Sequence, residues 1–403
     1  MRRRATLELA GAPADPAVTA AGRTWTYQEF AGLADTAPTG PLVDLSEMTL
    51  PSALAAAFAA ARAGTAVLVR NPQLPAPRIG AIPPGTWLVA TTSGTSGRPR
   101  AVCRTARSWA LSMQPLADIT GIGPGDRVAP TGPLHATLHL FAAVHTLCVG
   151  AHLIDDVRDA TAVHCVPAVL ADLVSPSAGT AWLRTAVVAG SNLPDTLAKR
   201  ATAQGISVIE YYGAAELSFA AFRRWPEPVL RQFPGAELRI DPDGLLWVRS
   251  PYRALGYADA ATVGPLRVDG EGFATVGDLA RTADAGSAGD VTAGVVILGR
   301  GDAAITVGGA TVLAEDVEAA LTAIPGIVAA AAVGLPHPRL GEIVAAVLEL
   351  DGTTQPAEVR AAARAALPGA ALPRKYVIVD RLPRTAAGKV TRAAARRLLD
   401  PDG

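Results

Sequence analysis

The segment with the clearest chemical potential is a short loop, TTSGTSGRPR, at residues 91–100. It follows the apolar run 87–90, which has the pattern of a buried strand. Glycines let backbone N–H groups approach an anion closely, and Ser and Thr hydroxyls donate further hydrogen bonds. The loop is therefore a candidate phosphate cradle, although this composition is also typical of a plain surface turn. It lacks the G-x-x-x-x-G-K-[ST] pattern of a P-loop, and its terminal cation is Arg100.

Four segments downstream carry further residue types suited to nucleotide chemistry. They are EYYGAAEL (210–217), VGDLA (276–280), LGRGDAAITVGGATVLAEDVE (298–318) and PRTAAGKVTR (383–392). Taken singly, each has an ordinary explanation, because acidic residues beside glycine are common in turns and Lys389 could extend the basic face of a last helix. In this order, the loop and the four segments resemble the acyl-adenylate-forming superfamily of acyl-CoA synthetases, nonribosomal-peptide adenylation domains and luciferases. The resemblance covers nearly the whole chain and is greatest to acyl-CoA synthetases.

The resemblance implies that the loop binds the β- and γ-phosphates of ATP. The residues that match the family's phosphate loop are Thr92, Ser93, Gly94, Thr95, Ser96, Gly97 and Arg100. Ser96 stands for a threonine and Arg100 for a lysine, so a hydroxyl and a cation are both kept. Thr95 and Glu216 would hold the Mg²⁺ that bridges the phosphates.

The nucleoside of ATP would be bound by the next two segments, again by resemblance. Tyr212, Gly213 and Ala215 match the element that flanks the adenine. Asp278 and Arg300 match the residues that contact the ribose hydroxyls.

The same resemblance assigns the catalytic step and the domain motion. Lys389 would be the catalytic lysine, acting with Glu216, because a carboxylate that attacks ATP is an anion approaching a polyanion. Charge neutralisation and positioning then supply most of the catalysis, and no general base is required. The small C-terminal domain would afterwards turn about a hinge at Asp302, and the CoA thiol would approach past Gly308 and Gly309.

The acyl pocket is expected to be mostly apolar. Its predicted wall consists of His135, Leu138, Gly190, Ser191 and Ala214. The neighbouring stretch 132–147 has no carboxylate that could bind an ammonium group, so an amino-acid substrate is not expected. An aliphatic or aromatic acid fits this set better.

We therefore predict an AMP-forming acid–CoA ligase for a fatty or aromatic acid, with ATP, Mg²⁺ and CoA as cofactors. One alternative is an adenylating enzyme that passes the acyl group to a carrier protein or an amine. Another is a non-catalytic nucleotide-binding protein, against which the joint presence of Lys389, Glu216 and Asp278 argues. The sequence names neither the acid nor the oligomeric state.

The order of hydrophobic patterns predicts an α/β fold. Predicted strands are 65–69, 87–91, 160–166, 184–189 and 206–210, and predicted helices are 54–62, 108–118, 138–149 and 195–203. Residues 229–298 show strand–turn–strand signals, including a Pro-Asp-Gly turn within 237–250, and predict a small β-rich subdomain. We expect an AMP-binding domain over residues 1–300, with a shortened N-terminal subdomain, and a small mobile α+β domain over residues 301–403.

The composition makes some classes of partner and some cellular locations less expected. The 403 residues are 50% hydrophobic and 18% charged with a formal net charge of zero, so neither nucleic acid nor an anionic surface is an expected partner. The three cysteines show no C-x-x-C spacing, which favours reduced thiols. Apolar runs long enough to span a bilayer are lacking, and Glu8 interrupts any signal-peptide pattern after MRRR. We expect a cytoplasmic protein.

Overall fold

Strands and helices alternate through the first half of the chain, as the sequence predicts. The computed structural model describes residues 6–73, 76–92, 100–191, 193–258, 264–283, 289–291, 294–300, 304–307, 310–337, 340–352, 354–367, 369–384 and 390–400. The elements of the first half are β1 (Pro16–Ala20), β2 (Arg23–Thr26), α1 (Tyr27–Asp35), β3 (Leu42–Asp44), α2 (Leu50–Ala63), β4 (Ala66–Val69), β5 (Leu88–Thr92), β6 (Arg100–Arg104), α3 (Ala106–Thr120), β7 (Arg127–Pro130), α4 (Thr137–Cys148), β8 (His152–Ile154), β9 (Ala162–Cys165), α5 (Pro167–Leu173), β10 (Thr185–Val188), α6 (Asp195–Ala203) and β11 (Ser207–Ala214).

The second half is richer in strands. Its elements are β12 (Ser218–Arg224), β13 (Arg231–Gln232), β14 (Glu237–Ile240), β15 (Leu246–Arg249), β16 (Gly256–Tyr257), β17 (Arg267–Val268), β18 (Ala274–Thr275), β19 (Asp278–Thr282), β20 (Gly289–Asp290), β21 (Val295–Arg300), β22 (Ala304–Val307), β23 (Ala310–Leu313), α7 (Ala314–Thr322), β24 (Ile327–His337), β25 (Gly341–Leu350), α8 (Pro356–Ala366), β26 (Lys375–Val379) and α9 (Arg392–Leu399).

The largest sheet runs in the order β13-β12-β11-β10-β9-β7-β8-β1-β2. Its central strands β7, β9, β10 and β11 are parallel, so their carboxyl ends meet at one edge. One face is covered by α5 and α6, whose leucines pack on Val163 and Cys165 of β9. The other face carries α3 and α4, with an aromatic core that includes Trp109 and Phe141. Ligands of open α/β sheets bind at the carboxyl edge, which here is the edge where α4 begins.

A second sheet runs in the order β16-β6-β5-β4-β3. The helix α2 is alanine-rich and deeply buried, and it ends at Gly64, whose φ of 70° is the left-handed cap that glycine favours. The antiparallel pair β16–β6 links a strand at residues 256–257 to one that begins at residue 100. This sheet therefore joins the end of the candidate phosphate loop to a distant part of the chain.

The predicted β-rich segment forms a small sheet in the order β17-β18-β15-β14-β20. Its β14–β15 hairpin closes over the predicted Pro-Asp-Gly turn, where Gly244 has a φ of 81°. The Asp241 carboxylate accepts hydrogen bonds from the N–H groups of Asp243 (3.0 Å) and Leu245 (2.9 Å). This local capping confirms the turn that the sequence predicts.

The last part of the chain has its own core. The β24–β25 hairpin pairs with β22 and β26, while α7, α8 and α9 pack on the sheet. The hydrophobic patterns of residues 314–321 and 356–366 predict helices, and those of residues 343–350 and 376–380 predict strands. These predictions agree with α7, α8, β25 and β26. The predicted α/β class with a small C-terminal unit is confirmed. Among the described helices, none is both long and apolar enough to cross a membrane.

Candidate active site

Glu216 lies in the short turn between β11 and β12, where its side chain is almost completely buried at 3% exposure. The Tyr257 hydroxyl donates a hydrogen bond to the Glu216 Oε1 atom at 3.0 Å. The Ala254 N–H donates to the Glu216 carbonyl oxygen at 2.8 Å. Segment 254–257 therefore holds both the carboxylate predicted to bind Mg²⁺ and the main chain of the turn that carries it.

That segment also connects Glu216 to the end of the phosphate loop. Tyr257 lies on β16, which pairs with β6, and β6 begins at Arg100. Thr92 at the end of β5 is the ladder partner of Arg100, so the two strand ends flank the loop. Burial and the nearby Glu216 charge raise the pKa of the Tyr257 phenol, while the Arg100 cation opposes that shift. Arg100, Tyr257 and Glu216 thus share one electrostatic environment.

Arg104 is a site residue that the sequence interpretation missed. The side chain is fully buried at 1% exposure, and its guanidinium donates to the carbonyls of Ala215 (2.5 Å) and Tyr252. Burial lowers the pKa of Arg104 to about 10, and the Glu216 carboxylate counteracts this shift. The group therefore stays cationic and joins the turn that carries Glu216 to the 252–257 segment. An arginine inside the otherwise buried strand β6 was the available signal.

The predicted nucleoside-binding residues also come together. The Tyr212 hydroxyl donates a hydrogen bond to the Asp278 carboxylate. Asp278 at the start of β19 is the ladder partner of Arg300 at the end of β21. A Cβ on Gly213 would lie 2.0 Å from the Ser218 carbonyl oxygen, so the β11–β12 hairpin admits only glycine there. Adenine- and ribose-binding candidates from three strands therefore converge.

Some predicted residues lie outside the part of the chain that the structure describes. These are Ser93, Gly94, Thr95, Ser96, Gly97, Asp302, Gly308, Gly309 and Lys389. The flanks of the lysine segment are described, and the Thr391 N–H donates to the Pro383 carbonyl at 3.0 Å. Arg384 and Val390 also form a bridge, so the chain enters and leaves the lysine segment at neighbouring points.

A cavity of about 420 Å³ lies between residues 45–73 and the loop before α4. His135 lines it together with Pro133 and Leu134, and the opposite wall includes Met48 and Val69. The other predicted pocket residues are not in this lining. Leu138 lies in the first turn of α4, Gly190 and Ser191 are exposed after β10, and Ala214 ends β11.

Comparison with known sequences assigns the family. A sequence model of the AMP-binding enzyme family matches residues 86–258, and a model of the AMP-binding enzyme C-terminal domain matches residues 316–389. A probable 2-succinylbenzoate–CoA ligase of Mycobacterium tuberculosis is 32% identical over 337 residues, which cover 77% of this chain and 84% of that protein. The chain is a member of the AMP-binding enzyme family. The predicted superfamily membership is confirmed.

Other members of the family extend the comparison. The uncharacterized acyl–CoA ligase YhfT of Bacillus subtilis is 27% identical over 349 residues, covering 79% of this chain and 70% of that protein. Among solved structures, ATP-bound MatB from Rhodopseudomonas palustris superposes with a TM-score of 0.81 at 23% identity, covering 96% of each chain. This AMP-binding enzyme therefore has the fold of that protein over nearly its full length.

Proposed function

We propose that this AMP-binding enzyme activates a carboxylic acid with ATP and transfers the acyl group to CoA. The acid carboxylate attacks the α-phosphate, which forms an acyl-adenylate and releases pyrophosphate. The CoA thiol then attacks the acyl carbon, which forms a thioester and releases AMP. The observation that carries this proposal is the convergence of Glu216, Tyr257 and Arg100 beside the Tyr212–Asp278 pair.

The residues present fit a magnesium ion. Mg²⁺ is usually bound by one or two carboxylates together with phosphate oxygens and water. Glu216 offers a single buried carboxylate next to Tyr257, which is also near Arg100 at the end of the proposed phosphate loop. When bound, Mg²⁺ would neutralise charge on the phosphates. Tyr257 and Arg104 hold the Glu216 turn in place, and Arg100 places a further cation at the end of the loop.

Asp278 and Lys389 complete the proposed roles. The Asp278 carboxylate, oriented by the Tyr212 hydroxyl, accepts hydrogen bonds from the ribose. Lys389 contacts the substrate carboxylate and the α-phosphate, where negative charge accumulates in the first step. We place the boundary between the AMP-binding domain and the C-terminal domain at residues 300 and 301, with Asp302 as the hinge.

A pyrophosphate-release assay over a panel of carboxylic acids, with and without CoA, tests the proposal. We expect pyrophosphate with several aliphatic or aromatic acids, and acyl-CoA only when CoA is present. Glu216→Gln should lower the rate of pyrophosphate release about 100-fold, which is typical of losing a preorganised charge contact. Glu227→Gln, on the exposed β12–β13 side, is the matched control and should keep the wild-type rate.

Two results would redirect or overturn the proposal. Adenylate formation without any thioester would assign the acceptor to a carrier protein or an amine. Nucleotide binding without pyrophosphate release from any acid would favour a non-catalytic binding protein.

A further inference from the structure

Three buried histidines lie between α4 and the central sheet. His139, His145 and His164 have 2%, 0% and 0% of their surface exposed. His164 is on β9, whose neighbouring residues Val163 and Cys165 face the α5–α6 side. Because side chains alternate along a strand, His164 faces α4, which carries His139 and His145. The His145 and His164 ring centroids are 6.0 Å apart.

These imidazoles have hydrogen-bonding capacity that the protein does not use. The His145 Nε2 atom lies 3.2 Å from the Met113 carbonyl oxygen, and the His139 ring hydrogen-bonds to the His164 main chain. Since a carbonyl only accepts, each of these rings donates there, which leaves its Nδ1 as an acceptor. Neither Nδ1 atom has a partner, and both ring nitrogens of His164 also lack one. Buried polar atoms of this kind are normally satisfied, so the cluster is built to meet another polar group.

Burial keeps the cluster neutral. Desolvation lowers the pKa of His139 and His145 to about 4 and that of His164 well below its ordinary value. The unsatisfied positions are then the acceptors of His139 and His145 and one donor and one acceptor on His164. A hydroxyl group, which both donates and accepts hydrogen bonds, fits this set. A carboxylate would leave the acceptor nitrogens unpaired and would bring a charge into a buried, neutral site.

The cluster lies in the same sheet as the candidate active site, at a level below the carboxyl ends of the strands. His164 is level with Pro130 of β7 and Val187 of β10, near the carboxyl ends of these parallel strands. Val187 is in turn the ladder partner of Ile209 on β11. Ile209 lies three residues before Tyr212, a separation of about 10 Å along that strand.

The loop before α4 links the cluster to the cavity. The Thr131 hydroxyl donates to the His164 carbonyl at 2.9 Å. His135, which lines the cavity and has an unpartnered Nε2 atom, lies one helical turn before His139. A chain of imidazoles thus leads from the cavity wall to His164.

We propose that His164 and His139 form the inner end of the acyl pocket and bind a hydroxyl group at the far end of the substrate acid. The substrate class is then an aliphatic or aromatic acid that carries a hydroxyl group far from its carboxylate. This inference rests on the proposed acid adenylation.

Matched pairs of acids provide the test. They are phenylpropanoic acid with its para-hydroxy derivative, and octanoic acid with its terminal-hydroxy and terminal-carboxy derivatives. We expect the full-length enzyme to favour the hydroxylated member of each pair at least about 10-fold in kcat/KM for pyrophosphate release. An acid without the hydroxyl would bind less well in the transition state, because it would leave the imidazole nitrogens without hydrogen-bond partners. His164→Leu should remove this preference, and His164→Asn, which keeps a donor and an acceptor, should retain part of it.

The control is His152→Leu on β8, two strands away from β9 in the same sheet, where the histidine side chain hydrogen-bonds to Thr19 at 2.8 Å. It should keep the wild-type preference. If His164→Leu does not fold, a thermal-shift experiment on the wild-type enzyme replaces the experiment on the variant. The ligands are acyl-sulfamoyl-adenosine analogues of the same matched acids. The hydroxylated analogue should then raise Tm more.

Three outcomes overturn the inference. They are an absent preference, a preference for the terminal-carboxy acid, and an undiminished preference in His164→Leu. In each case pyrophosphate release would still support the proposed function, whereas no turnover with any acid would overturn both.

Discussion

At the scale of single residues, Arg104 is a buried charge that anchors the turn carrying Glu216. Its guanidinium bonds two main-chain carbonyls and faces Glu216, which lies one residue beyond Ala215. Removing it would leave both carbonyls unsatisfied and Glu216 without its neighbouring cation. Breaking a buried charge arrangement by deleting one partner usually costs several kcal/mol, because the remaining groups stay buried.

We therefore expect Arg104→Leu to lower the free energy of unfolding by about 3 kcal/mol in urea titrations. The rate of pyrophosphate release should fall as well, because the Glu216 turn loses its anchor. Arg62→Leu is the control, since the Arg62–Asp35 pair at 2.9 Å is exposed and such pairs contribute about 0–1 kcal/mol. Equal destabilisation by the two substitutions would contradict the anchoring role.

At the scale of elements, the junction between β21 and β22 decides how the C-terminal domain meets the rest of the chain. β21 ends at Arg300 and β22 begins at Ala304, so the predicted hinge residue Asp302 lies between two strands of different sheets. On the far side, α7 packs against β21, and a Cβ on Gly299 would come within 2.2 Å of the Glu315 carboxyl carbon. The two parts thus meet closely beside a short connection.

Asp302→Pro tests the hinge, because proline fixes φ near −65° and restricts Gly301. We expect the trapped orientation to be the one that brings the proposed catalytic Lys389 to the site, so pyrophosphate exchange is kept. Thioester formation should collapse, because it would need the domain to turn. Lys389→Ala should show the reverse, with adenylation reduced on the order of 100-fold. Its use of supplied acyl-adenylate should be nearly intact. If either variant lost adenylate formation and thioester formation to the same extent, the proposal that the C-terminal domain uses a different orientation for each half-reaction would be contradicted.

At the scale of the whole molecule, the buried histidines predict an acid-sensitive fold. Burial lowers the folded-state pKa of His139 and His145 to about 4, whereas the unfolded chain has ordinary histidine values near 6.5. Between these values the unfolded state binds protons that the folded state does not. The folding stability that these neutral histidines contribute is therefore fully present above about pH 6.5, and it is lost as the pH falls to about 4.

Each such histidine contributes a slope of about 1.4 kcal/mol per pH unit in that window. Replacing one of them, as in His145→Gln, should flatten the pH dependence of the unfolding free energy by about that amount. Urea titrations at several pH values between about 4.5 and 6.5 measure this. A variant slope identical to the wild-type slope would show that His145 is not buried as a neutral group.

The sequence by itself determined the family, the order of the motifs and the alternation of strands and helices. These depend on local patterns, such as the Pro-Asp-Gly turn at 242–244 and the apolar run before the phosphate loop, which act over a few residues. Only the tertiary structure decided which distant residues meet. The β6–β16 pairing brings Tyr257 and Arg104 to Glu216, and the order of parallel strands places His164 beneath α4. Such contacts follow from strand order and register, which the pattern of a single strand does not encode. The contacts of Tyr257 and Arg104 that hold the Glu216 turn, and the position of His164, could therefore be found only in the tertiary structure.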